Sequence, residues 1–241
     1  MTNDEVSAVA RTLGHIGSAF YFRPETVATA KAKGLDGYRF YFLGRGGVLG
    51  DVESDVVQSA FGYFEPGLLA KMWNSAKQVM PPRDAARSFI GCAHELGRSQ
   101  LNSVDGLDAY CAAATQVNDA IDPTGLTLYA GTAAEPPPAD LPALAMHLSM
   151  LLREARGSIH LLAIVASGLT SRMAHQIRRP DDIGLFGWSD HLEVTDDDRA
   201  RWDAAEALTE RLLAPSFDVL DDEAQRSLVG GAQAIHEALG S

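Results

Sequence analysis

Residues 141–167, LPALAMHLSMLLREARGSIHLLAIVAS, form the longest stretch of the chain that is compatible with one uninterrupted helix. Apolar side chains recur in it every three to four residues, which is the spacing that places them along one face of an α-helix. That apolar stripe consists of Leu144, Leu148, Leu152, Ala155, Ile159, Leu162, Ala163 and Ala166. We therefore predict one long amphipathic helix over 141–167, with the stripe packed against the core.

The polar residues of this helix gather on the opposite side. They form two neighbouring groups: Arg153, Arg156 and His160, and then His147, Glu154 and Ser158. The simplest interpretation is an ordinary solvated face. However, Met150, Leu161 and Ile164 share that face, which indicates that part of it is covered. A covered cluster of arginine, histidine and glutamate needs mutual pairing, and such desolvated groups are candidates for anion binding or acid–base chemistry.

The rest of the chain is also predicted to be mostly helical. Caps, prolines and glycines delimit helices over 4–20, 25–33, 53–63, 66–78, 83–101, 107–120, 171–179, 196–213 and 221–238. Only 38–43 and 191–194 resemble short strands. The segment LTLYAGTAAEPPPADLP (126–142) is the best linker candidate, because Pro136 to Pro138 cannot continue a helix, and we place a soft boundary near residue 138. The predicted fold class is all-α, with helical regions over 1–138 and 139–241 that can form one compact unit.

The net charge of −12 is concentrated near the C-terminal end of the sequence. Residues 181–241 hold 15 of the 32 acidic and 4 of the 20 basic side chains, whereas 139–180 hold 2 acidic and 5 basic ones. Nucleic-acid binding requires Lys and Arg that displace counterions from the phosphate backbone. The acidic quarter repels that backbone, so we expect no nucleic-acid partner. A solvated helical surface explains the acidity most simply.

Two short motifs are too incomplete to assign a site. GRGGVLG, residues 44–50, has the glycines of a phosphate loop but lacks the following Lys-Ser/Thr, so it is interpreted as a tight turn. HELGR, residues 94–98, begins like a zinc-protease helix, but Arg98 stands where the second histidine belongs. We therefore predict no metal site.

The sequence predicts a cytoplasmic protein without a membrane partner. Its apolar runs are shorter than the ~18 residues of a membrane span, and its first residues show no secretory signal pattern. Cys92 and Cys111 lie in helix-like sequence, which suits reduced thiols.

Five segments stand in an order that is similar to a known family. They are PETVATAKAKGLDGYRFYFLGRGGVLGDV (24–52), VVQSAFGYFEPGLLA (56–70), MHLSMLLREARGSIHLLAIVASGL (146–169), FGW (186–188) and VTDDDRARWDAAEALTERLLAPSFDVL (194–220). Together they resemble an actinobacterial family usually labelled helix-turn-helix or MarR-like, whose members mostly have no assigned activity. Its most specific block reads Leu-Leu-Arg-Glu-His-Arg-Gly-x-x-His. This chain keeps Arg153, Glu154, Arg156, Gly157 and His160, with Ala155 in place of a histidine.

The resemblance implies a winged-helix-derived fold, from which the sequence departs after Trp188. In the family an amphipathic helix follows the Gly-Trp pair, and in a winged helix that element would enter the major groove of DNA. Here only SDHLE separates FGW from VTDDD. We therefore interpret the C-terminal part as degenerate and winged-helix-like, with the recognition helix deleted.

Our first functional interpretation is a small-molecule-binding protein, specifically an enzyme of specialised metabolism with isomerase-, dehydratase- or cyclase-type acid–base chemistry. Its interhelical pocket would take a small organic ligand that is anionic or carries a carbonyl group. The expected catalytic residues are His160, Glu154 and His147: His160 or His147 is the acid–base group, and Glu154 orients it or pairs an arginine. The expected ligand-binding residues are Arg45, Arg153 and Arg156, with Tyr41, Tyr63 and Trp188 as walls.

Two other interpretations stay open. One is a transcriptional regulator or ligand sensor, as the family label implies. The other is a dimeric scaffold in which the polar block merely ties helices together, and a homodimer is compatible with every interpretation. No cofactor is predicted, although a haem held by an isolated histidine stays open as an alternative.

Overall fold

The structure is a computed structural model that describes residues 1–240, with only the backbone described for Asn3 and Asp4. Over this range it contains twelve α-helices and no strand, so the all-α prediction is confirmed. The helices are α1 (Asn3–Ser18), α2 (Pro24–Ala32), α3 (Gly37–Gly46), α4 (Ser54–Phe61), α5 (Pro66–Lys77), α6 (Pro82–Gln100), α7 (Leu107–Asp119), α8 (Thr127–Ala133), α9 (Leu141–Ala166), α10 (Ser171–Arg178), α11 (Asp196–Leu213) and α12 (Asp222–Ala238). Short 3₁₀ helices span Gly47–Leu49, Pro180–Phe186 and Ala214–Ser216.

The long helix α9 is the centre of the fold, and α1, α6, α7, α8 and α11 pack around it. Its start is fixed by Asp140, whose side chain accepts a hydrogen bond from the Ala143 amide at 3.2 Å. Its end is followed by Gly168, whose φ of +77° places it in the left-handed region. Most side chains along the middle of α9 are buried, on the polar side as well as the apolar side.

A close contact between α1 and α9 depends on a glycine. A Cβ atom on Gly17 would lie 2.6 Å from the Ser149 carbonyl oxygen. Because that distance is far inside van der Waals contact, only a residue without a side chain fits there. The absence of a side chain therefore lets α1 lie directly on the polar side of α9.

The glycine-rich segment behaves differently from the prediction. Residues 44–46 continue α3 and a 3₁₀ helix follows, so the predicted tight turn is wrong. The strand-like residues 38–43 also lie within α3, and 191–194 form no strand. A Cβ on Gly44 would lie 2.5 Å from Phe89 of α6, so close packing between the two helices explains this glycine. The aromatic residues within 38–43 favour a strand by propensity, but burial against the rest of the protein stabilises them as a helix.

The hydrophobic core contains residues from every α-helix except α10 and includes both sides of Pro138. A smaller cluster joins the end of α9 to α10 and α11 through Ile164, Leu169, Ala174 and Ala205. The division into 1–138 and 139–241 stays a prediction. Among residues 1–240, no helix combines the length and apolar character needed to cross a membrane.

Candidate functional site

A cavity of about 370 Å³ lies against the polar side of α9. Side chains from α1, α3, α9, α10 and α11 line it. Its basic lining consists of six arginines and three histidines: Arg11, Arg45, Arg153, Arg156, Arg178, Arg179, His15, His160 and His175. Glu206 is the one acidic residue among the lining residues that the structure describes. The cavity is therefore strongly basic within a chain whose net charge is −12.

Beneath the cavity, the carboxylate of Glu154 is buried and held by three side chains. Arg45 binds it through two hydrogen bonds, from Nε to Oε1 at 2.9 Å and from Nη2 to Oε2 at 2.8 Å. Arg153 donates from Nη1 to Oε1 at 2.6 Å, and the Tyr21 hydroxyl donates to the same oxygen at 3.2 Å. Burial by itself raises the pKa of Glu154, but the two guanidinium groups outweigh it and lower the pKa to about 2. Glu154 is thus an anion that anchors two arginines.

Aromatic rings fix the two anchored arginines from the other side. The Arg45 guanidinium lies 4.5 Å from the centroid of the Phe61 ring, and its Nη1 donates to the Tyr41 hydroxyl at 3.2 Å. The Arg153 guanidinium lies 4.8 Å from the Tyr21 ring centroid. These contacts hold both cations in fixed positions facing the cavity.

A second polar cluster lies between α9 and α11. Arg156 donates from Nη2 to Oε2 of Glu206 at 3.2 Å, and Nε2 of His160 lies 3.4 Å from Oε1 of the same carboxylate. On its other side, Nδ1 of His160 lies 2.9 Å from Oγ1 of Thr209. Trp202 contacts the imidazole ring edge to face at 5.3 Å between centroids. Glu206 therefore bridges one arginine and one histidine at the cavity wall.

The hydrogen bonds of Thr209 restrict the protonation of His160. The Thr209 hydroxyl lies 2.7 Å from the Ala205 carbonyl oxygen, to which it donates its only proton. It can then only accept from His160, so the imidazole carries its proton on Nδ1. Burial, followed by the charges of Arg156 and Arg178, lowers the pKa of His160 to about 4. At neutral pH the lone pair of Nε2 consequently faces the Glu206 carboxylate, and the two atoms form a pair of proton acceptors.

His175 is a further histidine of the cavity lining and is also buried. Its ring contacts that of Phe186 with centroids 3.8 Å apart and an angle of 40° between the ring planes. Nε2 has no hydrogen-bond partner among the described residues. Burial, and then the charge of Arg179, lowers the pKa of His175 to about 4, so the ring is neutral at pH 7.

The structure brings most of the predicted site residues together. Those at the cavity or directly beneath it are Arg45, Arg153, Arg156, Glu154, His160, Tyr41 and Tyr63. Met150, Leu161 and Ile164 indicated from the sequence that part of the polar side of α9 is covered. Because other helices cover that side, these side chains converge on one cavity. Glu154 does not itself line the cavity, because two arginines enclose it.

Two predicted residues lie elsewhere. His147 is two helical turns before Glu154, which corresponds to about 10 Å along the axis. It contacts His94 of α6, with 3.2 Å between His147 Nδ1 and His94 Nε2. Trp188 does not line the cavity: its Nε1 donates to the Tyr63 carbonyl oxygen at 2.9 Å, and Arg172 covers its ring at 4.4 Å. Trp188 thus ties the segment after α10 to the loop after α4.

The prediction from sequence missed Thr209, which contacts His160, and several lining residues, chiefly Glu206, Trp202, His175, Arg11, His15, Arg178 and Arg179. Glu206 and Thr209 lie on α11, whose acidic sequence was interpreted as a solvated surface. One local signal was present: Trp202, Ala205 and Thr209 recur at helical spacing and interrupt the polar sequence. Their position opposite His160 depends on how α11 packs on α9, which periodicity does not specify.

The arrangement is suited to binding an anion and accepting a proton beside it. Within residues 1–240, no group of three or more histidine, cysteine or acidic side chains is placed to hold a metal ion.

Comparison with known proteins gives one match. A family model described as a helix-turn-helix family matches residues 6–184. No curated protein and no solved structure matches the chain significantly. The matched range contains the cavity arginines and His160, whereas Trp202, Glu206 and Thr209 lie beyond it. Because the match covers well over half of the sequence, the chain belongs to this helix-turn-helix family.

Proposed function

We propose that this protein binds a small organic anion in the basic cavity and transfers a proton to or from it. The observation that carries the proposal is the composition of the lining, in which six arginines face one glutamate. Guanidinium groups bind carboxylate, phosphate and enolate oxygens through charge-assisted hydrogen bonds. The cavity volume of about 370 Å³ is within the range of small-molecule sites.

Arg156 is the inner arginine best placed to contact the ligand. Arg45 donates two hydrogen bonds from its guanidinium group to Glu154, and Arg153 donates one hydrogen bond from Nη1 to the same carboxylate. Arg156 instead makes one hydrogen bond to Glu206, at 3.2 Å, which leaves its remaining donors available. Arg45 and Arg153 then supply a fixed positive potential behind the ligand.

His160 and Glu206 are the proposed proton-transfer residues. With its proton on Nδ1, His160 presents an unprotonated Nε2 atom 3.4 Å from the Glu206 carboxylate. Two acceptors at that separation repel one another, and a proton taken from the ligand relieves the repulsion. Arg156 beside them stabilises the negative charge that develops on the ligand when the proton leaves. A proton acceptor beside a cation supports isomerisation, dehydration or cyclisation of a carbonyl compound.

The binding step is tested by calorimetric titration with a panel of carboxylates, 2-oxo acids and phosphate monoesters. We expect at least one class to bind, and Arg156→Ala to weaken its binding about tenfold, the equivalent of one charged hydrogen bond. Arg199→Ala is the matched control, since Arg199 is an exposed arginine of α11 outside the cavity lining. Equal affinities of the wild type and Arg156→Ala would contradict the proposal.

The proton-transfer step is tested with whichever 2-oxo acid binds, by following exchange of its α-hydrogen for deuterium by NMR. We expect His160→Gln to abolish exchange while retaining binding. Loss of exchange in Arg199→Ala, or unchanged exchange in His160→Gln, would oppose the assignment.

A ligand-sensing transcriptional regulator is the second candidate, and membership of the helix-turn-helix family favours it. Between α10 and α11 the structure contains one 3₁₀ segment and irregular chain. We propose that the DNA-reading helix of a winged helix is missing at this point. Gel-shift assays with the promoter DNA of its own gene separate the candidates: a regulator retards that DNA with an affinity that falls steeply with salt. We expect no retardation even at low salt.

A further inference from the structure

Three exposed basic side chains of the cavity lining take no part in the ion pairs of Glu154 and Glu206, and we call the part of the cavity that they line its outer end. Arg11 of α1, with Arg178 and Arg179 at the end of α10, lines this end. Arg11 donates to the neutral Ser7 hydroxyl at 2.5 Å, and Arg178 has no acidic partner among the described side chains. Arg179 lies 3.5 Å from Asp182. We call Arg11, Arg178 and Arg179 the outer arginines, and Arg45, Arg153 and Arg156 the inner arginines.

The two groups differ in how far their charge is neutralised. The three inner arginines face two carboxylates, those of Glu154 and Glu206, which leaves one positive charge in excess. The three outer arginines face one carboxylate, that of Asp182, which leaves two. The larger excess of positive charge is therefore at the outer end of the cavity.

The outer arginines are exposed, so water and salt screen much of the repulsion between their charges. The C-terminal end of α10 also favours positive charge at Arg178 and Arg179 through the helix dipole. His15 also lines the cavity, and its pKa is lowered. The main cause is burial, and the charges of His236, Arg178 and Arg179 lower the pKa further. An anion with more than one charge would neutralise what the helix end does not.

We propose that the ligand carries two anionic groups, a carboxylate or enolate at the inner arginines and a phosphate at the outer arginines. This inference rests on the proposed function and specifies its substrate class as a phosphorylated organic acid. A phosphate monoester carries close to two negative charges at neutral pH, which matches the excess of two at the outer end. Arginine forks from two different helices suit its oxygens better than a single carboxylate.

Three probes on one carbon skeleton test the inference: hexanoate, hexylphosphonate and ω-phosphonohexanoate. Each is titrated calorimetrically into the full chain at constant ionic strength, because exposed charges are screened by salt. We expect the probe with both groups to bind at least about tenfold more tightly than either single-group probe, since its second contact forms within the complex.

Two variants assign the groups to their ends of the cavity. Arg178→Gln is expected to weaken hexylphosphonate and ω-phosphonohexanoate about tenfold, the equivalent of one charged hydrogen bond, and to leave hexanoate unchanged. Arg156→Gln is expected to weaken hexanoate and ω-phosphonohexanoate and to spare hexylphosphonate. Arg178 is exposed, so its replacement leaves the core intact, and Arg199→Gln is the matched control.

The outcomes separate this inference from the proposed function. If ω-phosphonohexanoate binds no tighter than hexanoate, or Arg178→Gln changes nothing, the outer phosphate site is refuted. Hexanoate binding that depends on Arg156 would in that case still support the proposed function. If none of the three probes binds to the wild type, both are refuted.

Discussion

At the scale of single residues, Glu154 decides whether the cavity exists in its present form. Its carboxylate neutralises two guanidinium groups that would otherwise repel each other beside the core. The sequence predicted that Glu154 orients the imidazole or pairs an arginine, because periodicity identifies a shared face and does not show which groups pair. In the structure Glu154 pairs with two arginines, and it is Glu206 that lies beside Nε2 of His160.

The replacement Glu154→Gln keeps the size of the side chain and removes its charge. We expect it to lower the free energy of unfolding by about 3–5 kcal/mol, the cost of breaking a buried ion pair from one side. Urea denaturation followed by circular dichroism measures this loss. Glu95→Gln removes an exposed carboxylate that pairs with Arg98 and is the control, with an expected change within about 0.5 kcal/mol. Equal losses in both variants would argue against the anchoring role.

At the scale of elements, the helices with strong terminal signals were predictable from sequence. Asp140 and Thr195 cap α9 and α11, and the bounds of these helices agree with the prediction to within one residue. The failures are α3 and α8. The aromatic and glycine-rich sequence of α3 is helical because Gly44 packs against Phe89, a contact between residues 45 positions apart. Helix α8 lies in the stretch interpreted as a linker, and its Leu128 and Tyr129 are buried by tertiary contacts.

The contact between α1 and α9 gives a prediction within one helix. Gly17→Ala is expected to destabilise the protein by about 1–3 kcal/mol, because its Cβ meets the Ser149 carbonyl and overpacking costs that much. Gly14→Ala, three residues earlier on α1, has no atom within 4 Å of the new Cβ. We expect it to be stabilising by about 0.5–1 kcal/mol, the helix-propensity gain over glycine. Thermal unfolding of both variants checks the difference in sign.

At the scale of the whole molecule, three buried histidines make stability depend on pH. Burial is the main cause that lowers the pKa of His147, His160 and His175 from 6.5 to about 4. Between these values the unfolded chain binds protons that the folded chain does not, so acid favours unfolding. Stability is therefore expected to fall as pH decreases from about 6.5 to about 4. The depressed pKa of Glu154 adds a further loss below its ordinary value of 4.5, as pH falls towards 2.

This dependence is measured by urea denaturation at pH 7 and pH 5. The free energy of unfolding should be lower at pH 5, and His147→Gln should reduce the difference because it removes one of the three groups. His147 is the appropriate position, since it lies outside the cavity and its loss does not disturb the proposed site. A difference that His147→Gln leaves unchanged would count against this account.

The position of α11 has a consequence for how chemistry can diverge among related chains. The arginines proposed to hold an anion lie within the family match, as does His160, whereas the carboxylate and hydroxyl that contact its imidazole come from the helix beyond it. Under the proposed function, ligand capture and the control of reactivity are thus encoded in separate stretches of one polypeptide. Under that proposal, substitutions in α11 alone would change the reaction of the bound molecule, or abolish it and leave a binding protein. The arginines that bind the molecule would stay the same.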